Sequence, residues 1–210
     1  MAVEIKWIHH ASFRVAGKDA VVYIDPWKLP GAAGDGDVII VSHSHFDHFS
    51  PADIAKAARK GASVIGPADV IEQLGSGKAI SPGQCVTDKG VGIEAVPAYN
   101  IAKSFHPKGN NWIGAVITIE GKRIYYAGDT DQVPEMGKLA DIDLALLPVG
   151  GTYTLNAVEA ASACKAIGCK AAIPYHWGDI VGREADAAKF AAAVDCCTVH
   201  LLKPGGSLSL

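Results

Sequence analysis

Residues 38–51 read VIIVSHSHFDHFSP, and the fold is decided there. Four apolar residues run into His43, His45, Asp47 and His48, and a Ser-Pro pair follows. Side chains two positions apart on an extended segment point the same way. His43 and His45 can therefore grip one ion as a strand ends, while the turn beyond it turns Asp47 and His48 toward a second. The segment then starts a helix. Ser50 suits the N-cap, Pro51 the first helical position, Asp53 the first turn and Gly61 the stop.

Imidazole suits zinc, iron, nickel and copper, and a carboxylate widens the choice to manganese. Zinc usually takes four ligands, so four residues cannot close two sites. Further ligands must come from elsewhere in the chain, at other strand ends. Asp129 in YYAGDTD and His176 in AIPYHWGD stand where apolar runs break. His106 in SFHPKG follows the strand that ends at Asn100.

Outward from the cluster, short β-branched runs alternate with turn signals. EIKWIHH, SFRVAG and AVVYIDP read as strands, and a Gly-rich loop at 31–36 precedes the cluster. Later strands are SVIGP, GIEAVPAY, WIGAVITIEG, KRIYYAGD, IDLALLPVG, KAAIPYH, CTVHLLKPG and SLSL, with EGKR as a hairpin turn. NAVEAASACKAIG is a helix capped by Asn156 and stopped by Gly168, and READAAKFAAAV is another. VVYIDPW followed by DVIIVSH is echoed by RIYYAGDT followed by DIDLALLPVG. In each, a strand ends at an aspartate and a second, acid-led apolar strand follows.

The chain has 210 residues, 49% hydrophobic, with a formal charge of −3. That is material for one α/β domain over 1–210, and no linker divides it. The charge and the scattered basic residues give no case for nucleic acid or an anionic membrane. The start lacks a secretory pattern, and no apolar run approaches the ~20 residues of a membrane helix. A soluble cytoplasmic protein is expected. Of five cysteines, Cys164 and Cys169 read as packed thiols, and no CxxC suggests a zinc knuckle.

HSHFDH matches the HxHxDH signature of the metallo-β-lactamase superfamily, and AGDTD and PYHWGD resemble its later ligand motifs in the expected order. IKWIHHASFRV and VVYIDPW resemble the opening of its UlaG-like branch of Zn-dependent hydrolases, where Gly usually stands at the position of His9. The resemblance covers nearly the whole chain. It implies a four-layer αββα sandwich, two mixed sheets with helices on the outer faces and a site along one edge. It also implies that His43 and His45 hold a first metal and that Asp47 and His48 hold a second. Asp129 then bridges them and His176 completes the second, which makes Asp47, Asp129 and His176 the catalytic set. One position departs from the pattern. The remaining first-site histidine should follow GIEAVPAYN, where Asn100 stands. Either His106 reaches in from the loop or the first site is weak; His106 is the favoured expectation.

Asp25 in YIDPW is placed to fix the ligand loop from behind, and His10 to line the pocket. The loop 101–112 is long, which marks function. Lys103, Lys108, Asn110 and Asn111 there suggest an anionic substrate, with Trp112, Tyr99 and Tyr153 as pocket walls. His200 reads as structural. The resulting expectation is a hydrolase with one or two Zn2+, or Mn2+ or Fe2+, acting on a small ester, lactone or phosphodiester. A metal-activated water attacks, and no GxSxG nucleophile is present. A mononuclear-iron oxidoreductase of the same fold and a non-catalytic metal-binding protein are the alternatives. Self-association into a homo-oligomer is left open.

Overall fold

The computed structural model describes residues 2–210. In chain order the elements are β1 (Glu4–His9), β2 (Ser12–Ala16), β3 (Val21–Ile24), β4 (Gly36–Ile40), α1 (Pro51–Ala57), β5 (Ala58–Gly66), α2 (Ala68–Leu74), β6 (Lys78–Ala79) and β7 (Cys85–Asp88). They continue with β8 (Val91–Pro97), β9 (Ile113–Ile119), β10 (Lys122–Tyr126), β11 (Leu144–Pro148), α3 (Ala157–Ile167), β12 (Ala171–Tyr175), α4 (Glu184–Ala193), β13 (Thr198–Val199) and β14 (Ser207–Ser209). Among the described residues no helix is long and apolar enough to cross a membrane.

The apolar run before the cluster is explained by layers on both its faces. Along β4 and just past it, Val38 and Ile40 join the main core, while Ile39 and Val41 pack with Ile54 and Ala57 of α1 and Val70 of α2. A strand covered on both sides has no reason to alternate. Each such aliphatic side chain stabilises the fold by about 1.5–3 kcal/mol. The main core is shared by both sheets and reaches Ala160, Ala163 and Ile167 of α3 and Ala187 and Phe190 of α4. The order of layers is therefore αββα, as expected.

The sheets run β14-β1-β2-β3-β4-β5-β6 and β13-β12-β11-β10-β9-β8-β7. Each is mixed. β1, β2 and β3 pair antiparallel and β3, β4 and β5 parallel. β8, β9 and β10 pair antiparallel and β10, β11 and β12 parallel.

The sequence echo is a repeat in space. Val22 faces Val38 and Ile24 faces Ile40 across β3–β4, as Ile124 faces Leu144 and Tyr126 faces Leu146 across β10–β11. The acid that leads the second strand does the same work in each half. Asp37 Oδ2 accepts the Val21 N–H at 2.9 Å, and Asp143 Oδ2 accepts the Arg123 N–H at 2.9 Å. Each acid also pairs with a cation at 2.8 Å, Asp37 with Arg59 and Asp143 with Lys170.

Ser50 Oγ accepts the Asp53 N–H, Asn156 and Glu159 form a capping box, and Gly168 closes α3 in a left-handed turn. Three details differ from expectation. α1 ends at Ala57, not at Gly61, because Ala58 already pairs with Gly36 and sheet pairing takes over. Gly61 instead lies inside β5 at φ 79°. The short α2 carries too few turns to announce itself in the sequence. CTVHLLKPG keeps only Thr198–Val199 as strand, and the closing residues cross to the far edge of the other sheet against β1.

Candidate metal centre

Five chain segments converge at one edge. His43, His45, Asp47 and His48 leave β4, His10 follows β1, Asp129 follows β10, His176 follows β12 and His106 comes from the β8–β9 connection. His10, Asp25 and His176 all have left-handed backbone, with φ of 47°, 43° and 65°. Such conformations cost non-glycine residues energy and gather at functional sites. Here each one turns the chain sharply where a strand runs out.

The donor atoms form two groups. In the first, His43, His45 and His106 offer nitrogens that lie within 4.8 Å of one another. His43 Nε2 is 3.1 Å from His45 Nδ1. In the second, His48 Nε2 is 3.4 Å from His176 Nε2, and Asp47 Oδ2 lies 3.7 and 3.8 Å from those same nitrogens. Asp129 touches both groups. Its Oδ1 is 3.3 Å from His48 Nε2 and 3.2 Å from His176 Nε2, and its Oδ2 is 3.4 Å from His106 Nε2.

These separations fit a metal. Ligands at ~2.0–2.1 Å from a tetrahedral ion are ~3.3–3.4 Å apart; His48 and His176 stand at that spacing, 3.4 Å, and Asp47 Oδ2 is slightly farther, at 3.7 and 3.8 Å. Among the described residues, His106 Nε2 and Asp129 Oδ1 are buried with no hydrogen-bond partner. A buried polar atom left so is costly unless something else satisfies it. A divalent ion in each group would satisfy both.

The electrostatics favour the donor state of His43, His45, Asp47 and Asp129, and leave His48 with a proton for a metal to displace. Burial, reinforced by His48, pushes His43 well below the usual imidazole range. Burial and His106 lower His45. Burial opposes ionisation of Asp129, but His176 and His48 outweigh it and hold the carboxyl well below its usual range. Burial likewise opposes Asp47, which its His10 hydrogen bond and His48 bring down to about 2. His48 is raised well above its ordinary value, since the Asp129 and Asp25 carboxylates overcome its burial. Ionised carboxylates beside crowded imidazoles call for added positive charge, which a metal supplies in place of protons.

Two buried residues aim these ligands. Asp25 is fully buried; its Oδ1 accepts the Ser42 N–H at 2.7 Å. Its Oδ2 accepts Ser42 Oγ–H at 2.6 Å, Tyr126 Oη–H at 2.6 Å and His48 Nδ1–H at 2.7 Å. That fixes His48 with Nε2 toward the centre. Ser42 Oγ in turn lies 2.9 Å from His43 Nδ1. Asn100 serves His106 in the same way. Its Nδ2 donates to Tyr153 O at 2.9 Å and to Asp131 Oδ1 at 3.1 Å, so Oδ1 must be the atom facing His106. It accepts the His106 N–H and Nδ1–H, both at 3.0 Å. The asparagine that departs from the motif thus holds the histidine six residues on.

Replacing Asn100 by alanine frees the His106 ring. Affinity of the first group for metal is expected to fall about 10–100-fold, read by chelator competition. Unchanged affinity in a folded Asn100→Ala protein would overturn this role.

A family model described as the β-lactamase superfamily domain matches residues 4–176. A UPF0173 metal-dependent hydrolase of Nitratidesulfovibrio vulgaris is 33% identical, over 100% of this chain and 96% of its own. The chain belongs to the metallo-β-lactamase superfamily. It falls among that superfamily's metal-dependent hydrolases. A candidate metal-dependent hydrolase of Parabacteroides distasonis superposes with a TM-score of 0.84 at 31% identity, covering 95% of this chain and 92% of that one. The metallo hydrolase Igni18 of Ignicoccus hospitalis gives 0.81 at 26%, covering 100% and 99%.

The HSHFDH motif meets Asp129, His106 and His176 at this edge, as expected, while the surroundings differ from expectation. His10 stacks on His176, with ring centroids 4.0 Å apart, and its Nε2 is 3.1 Å from Asp47 Oδ2. Burial takes it down to about 4 against the pull of Asp47, so it is a neutral donor to that carboxylate. His9 instead pairs with Asp179 at 2.7 Å. Trp112 lies against the rings of His43, His45 and His106 and donates its Nε1–H to Asp69. It backs the first group and does not line the opening.

A cavity of about 240 Å³ opens on the centre, lined by His45, Asp47, His106 and Asp129 with Phe46, Phe105, Tyr153 and Ile180. No lysine or arginine lines it. Lys103 is tied to Asp131 and Thr154 O, and Lys108 to Glu135 and the Tyr99 hydroxyl. Lys108 is therefore not a pocket residue, and Asn110 and Asn111 are exposed outside it. A larger cleft of about 360 Å³ lies on the outer face of β1–β3, beside Lys6, Arg14 and Tyr23, with none of the site histidines. Tyr153 lines the cavity as expected, while Phe46, Phe105 and Ile180 escaped sequence reading although Phe46 stands inside HSHFDH. Its 69% exposure beside the buried His43, Asp47 and His48 is a property of the fold.

Proposed function

We propose that the protein is a two-metal hydrolase of an uncharged ester or lactone that carries an apolar group. The carrying observation is the pairing of two donor groups through Asp129 beneath an aromatic-rimmed mouth without lysine or arginine. His43, His45 and His106 would hold one ion, and Asp47, His48 and His176 the other, with Asp129 between them. The nitrogen-and-carboxylate donor set suits zinc. A divalent ion bound there makes hydroxide available from water near neutral pH and draws electron density from the substrate oxygen.

The protein's own groups do the rest. Asp47, ionised and open to the cavity, orients the attacking water by accepting its hydrogen bond. His10, neutral and donating, keeps that carboxylate in place. Asp25 and Asn100 keep His48 and His106 in the tautomers that face the centre. Phe46 and Phe105 exclude water and hold the apolar part of the substrate against the reacting carbonyl. A phosphodiester would meet no lysine or arginine at the mouth to share its negative charge with the ions, and its charged group would sit against an aromatic rim.

Assays on p-nitrophenyl butyrate, a neutral lactone and bis-p-nitrophenyl phosphate test the reading. The two neutral substrates should turn over and the phosphodiester poorly, with activity lost in His45→Ala and on chelation. Phe46→Ala with Phe105→Ala should raise KM about tenfold for the apolar ester, as expected for losing part of an aromatic contact. Preferred hydrolysis of the phosphodiester would refute the substrate class.

A further inference from the structure

A second cluster of metal-binding side chains lies outside the centre. Cys164 is on the last turn of α3, Cys169 follows its Gly168 cap, and Cys197 immediately precedes β13. Their sulfurs all lie within 4.8 Å of one another. We propose that Cys164, Cys169 and Cys197 form a thiolate site for one thiophilic cation of the zinc, cadmium or copper(I) type.

The fold brings the three together from separate positions. Gly168, at φ 68°, turns the chain back at the end of α3 and donates its N–H to Cys164 O at 2.9 Å. That puts Cys169 Sγ 3.9 Å from the same carbonyl. Ala171 pairs with Thr198 across β12–β13, which carries Cys197 to the side of Cys169. The Cys169 and Cys197 sulfurs are 3.8 Å apart. Thiolates at ~2.3 Å from a tetrahedral ion are spaced by ~3.8 Å, whereas a disulfide needs ~2.05 Å. The gap is that of two ligands on one ion.

Burial and placement agree. Cys164 and Cys169 are buried and Cys197 is half-buried, so the site is walled yet reachable from one side. Cys196, next to Cys197 in the chain, is exposed and lies outside the cluster. The three thiols share their protons: the contacts with Cys164 and Cys197 hold Cys169 below the usual thiol range against its burial, and Cys164 and Cys197 are pushed up in turn. Binding a divalent ion forms three metal–sulfur bonds and releases the thiol protons to solvent, with no change of oxidation state. The site lies at the N-terminal ends of β12 and β13. His176 follows the other end of β12, about 20 Å away along the strand. The hydrolytic centre contains no sulfur, so the two sites are chemically distinct.

Cadmium chloride is the probe, added to the full chain under a non-thiol reductant. The ultraviolet cadmium–thiolate band reports only sulfur ligation, and metal held by the histidine centre is silent in it. The expected result is a band that saturates at about one equivalent. It should be lost in Cys169→Ser and kept in Cys85→Ser. Cys197→Ser, at a half-exposed position that tolerates change, should need about a hundredfold more cadmium for half-saturation. It serves as the test if Cys169→Ser does not fold. No saturable band in the folded wild type, or a Cys197→Ser band that half-saturates at the wild-type cadmium concentration, would overturn the site and leave three packed thiols. Neither outcome bears on the hydrolase, whose failure would appear in the ester assays.

Discussion

Replacing Asp129 by alanine is expected to lower kcat/KM by about three orders of magnitude, the equivalent of several kcal/mol of lost transition-state stabilisation. It should also reduce metal in both groups at once. The reason is geometric. Oδ1 faces His48 and His176 while Oδ2 faces His106, so one carboxylate serves both sets of donors. It is also the charge that His48 and His176 answer to in the buried edge. Removing it leaves a cluster of imidazoles with less negative charge to balance two dications. Asp129→Asn keeps the shape and removes the charge, and it should lose most of the same metal. Elemental analysis and ester turnover on both variants check this. A folded Asp129→Ala protein with wild-type metal content would contradict the bridging role.

Asp25→Ala is expected to be the most damaging change away from the donor atoms. It strands Ser42 Oγ, the Ser42 N–H, the Tyr126 hydroxyl and His48 Nδ1 in a site without solvent. Breaking such a buried charged network costs about 3–5 kcal/mol. For a chain of this size that lowers the melting temperature by roughly 10 °C. His48 also loses the partner that sets its tautomer, so metal affinity should fall about 10–100-fold in whatever protein folds. Thermal unfolding with and without chelator separates the two effects. An Asp25→Ala protein as stable as wild type would show that the network is not what holds this edge together.

The candidate metal edge was legible because its residues carry chemistry that ordinary strand ends lack. His43, His45, Asp47 and His48 crowd into six positions, and Asp129 and His176 each stand where an apolar run stops. The layers were legible only through the family resemblance; the unalternating apolar residues 38–41 are consistent with them, being covered on both faces in the fold. Asn100 was harder. Its role depends on a loop that folds back so that His106 meets its side-chain oxygen, and nothing local in YNIAKSFH encodes that closure. Lys103 and Lys108 misled for a similar reason. A sequence displays their charge but not Asp131 and Glu135, the carboxylates that neutralise it. Of the apolar mouth only Tyr153 was foreseen; Phe46, Phe105 and Ile180 come from separate loops and meet it only in the fold. Gly61 looked like a helix stop because a left-handed glycine inside a strand leaves the same mark in sequence.

The most direct test is metal per chain by elemental analysis, on protein made without chelators or affinity-tag metals and carrying Cys197→Ser so that the thiolate cluster adds no ion, with His106→Ala alongside in the same background. Two donor groups joined by Asp129 predict about two equivalents in the Cys197→Ser parent, falling toward one in His106→Ala. One equivalent or less in that parent, unchanged in His106→Ala, would mean that His43, His45 and His106 hold no ion and would contradict the two-metal centre.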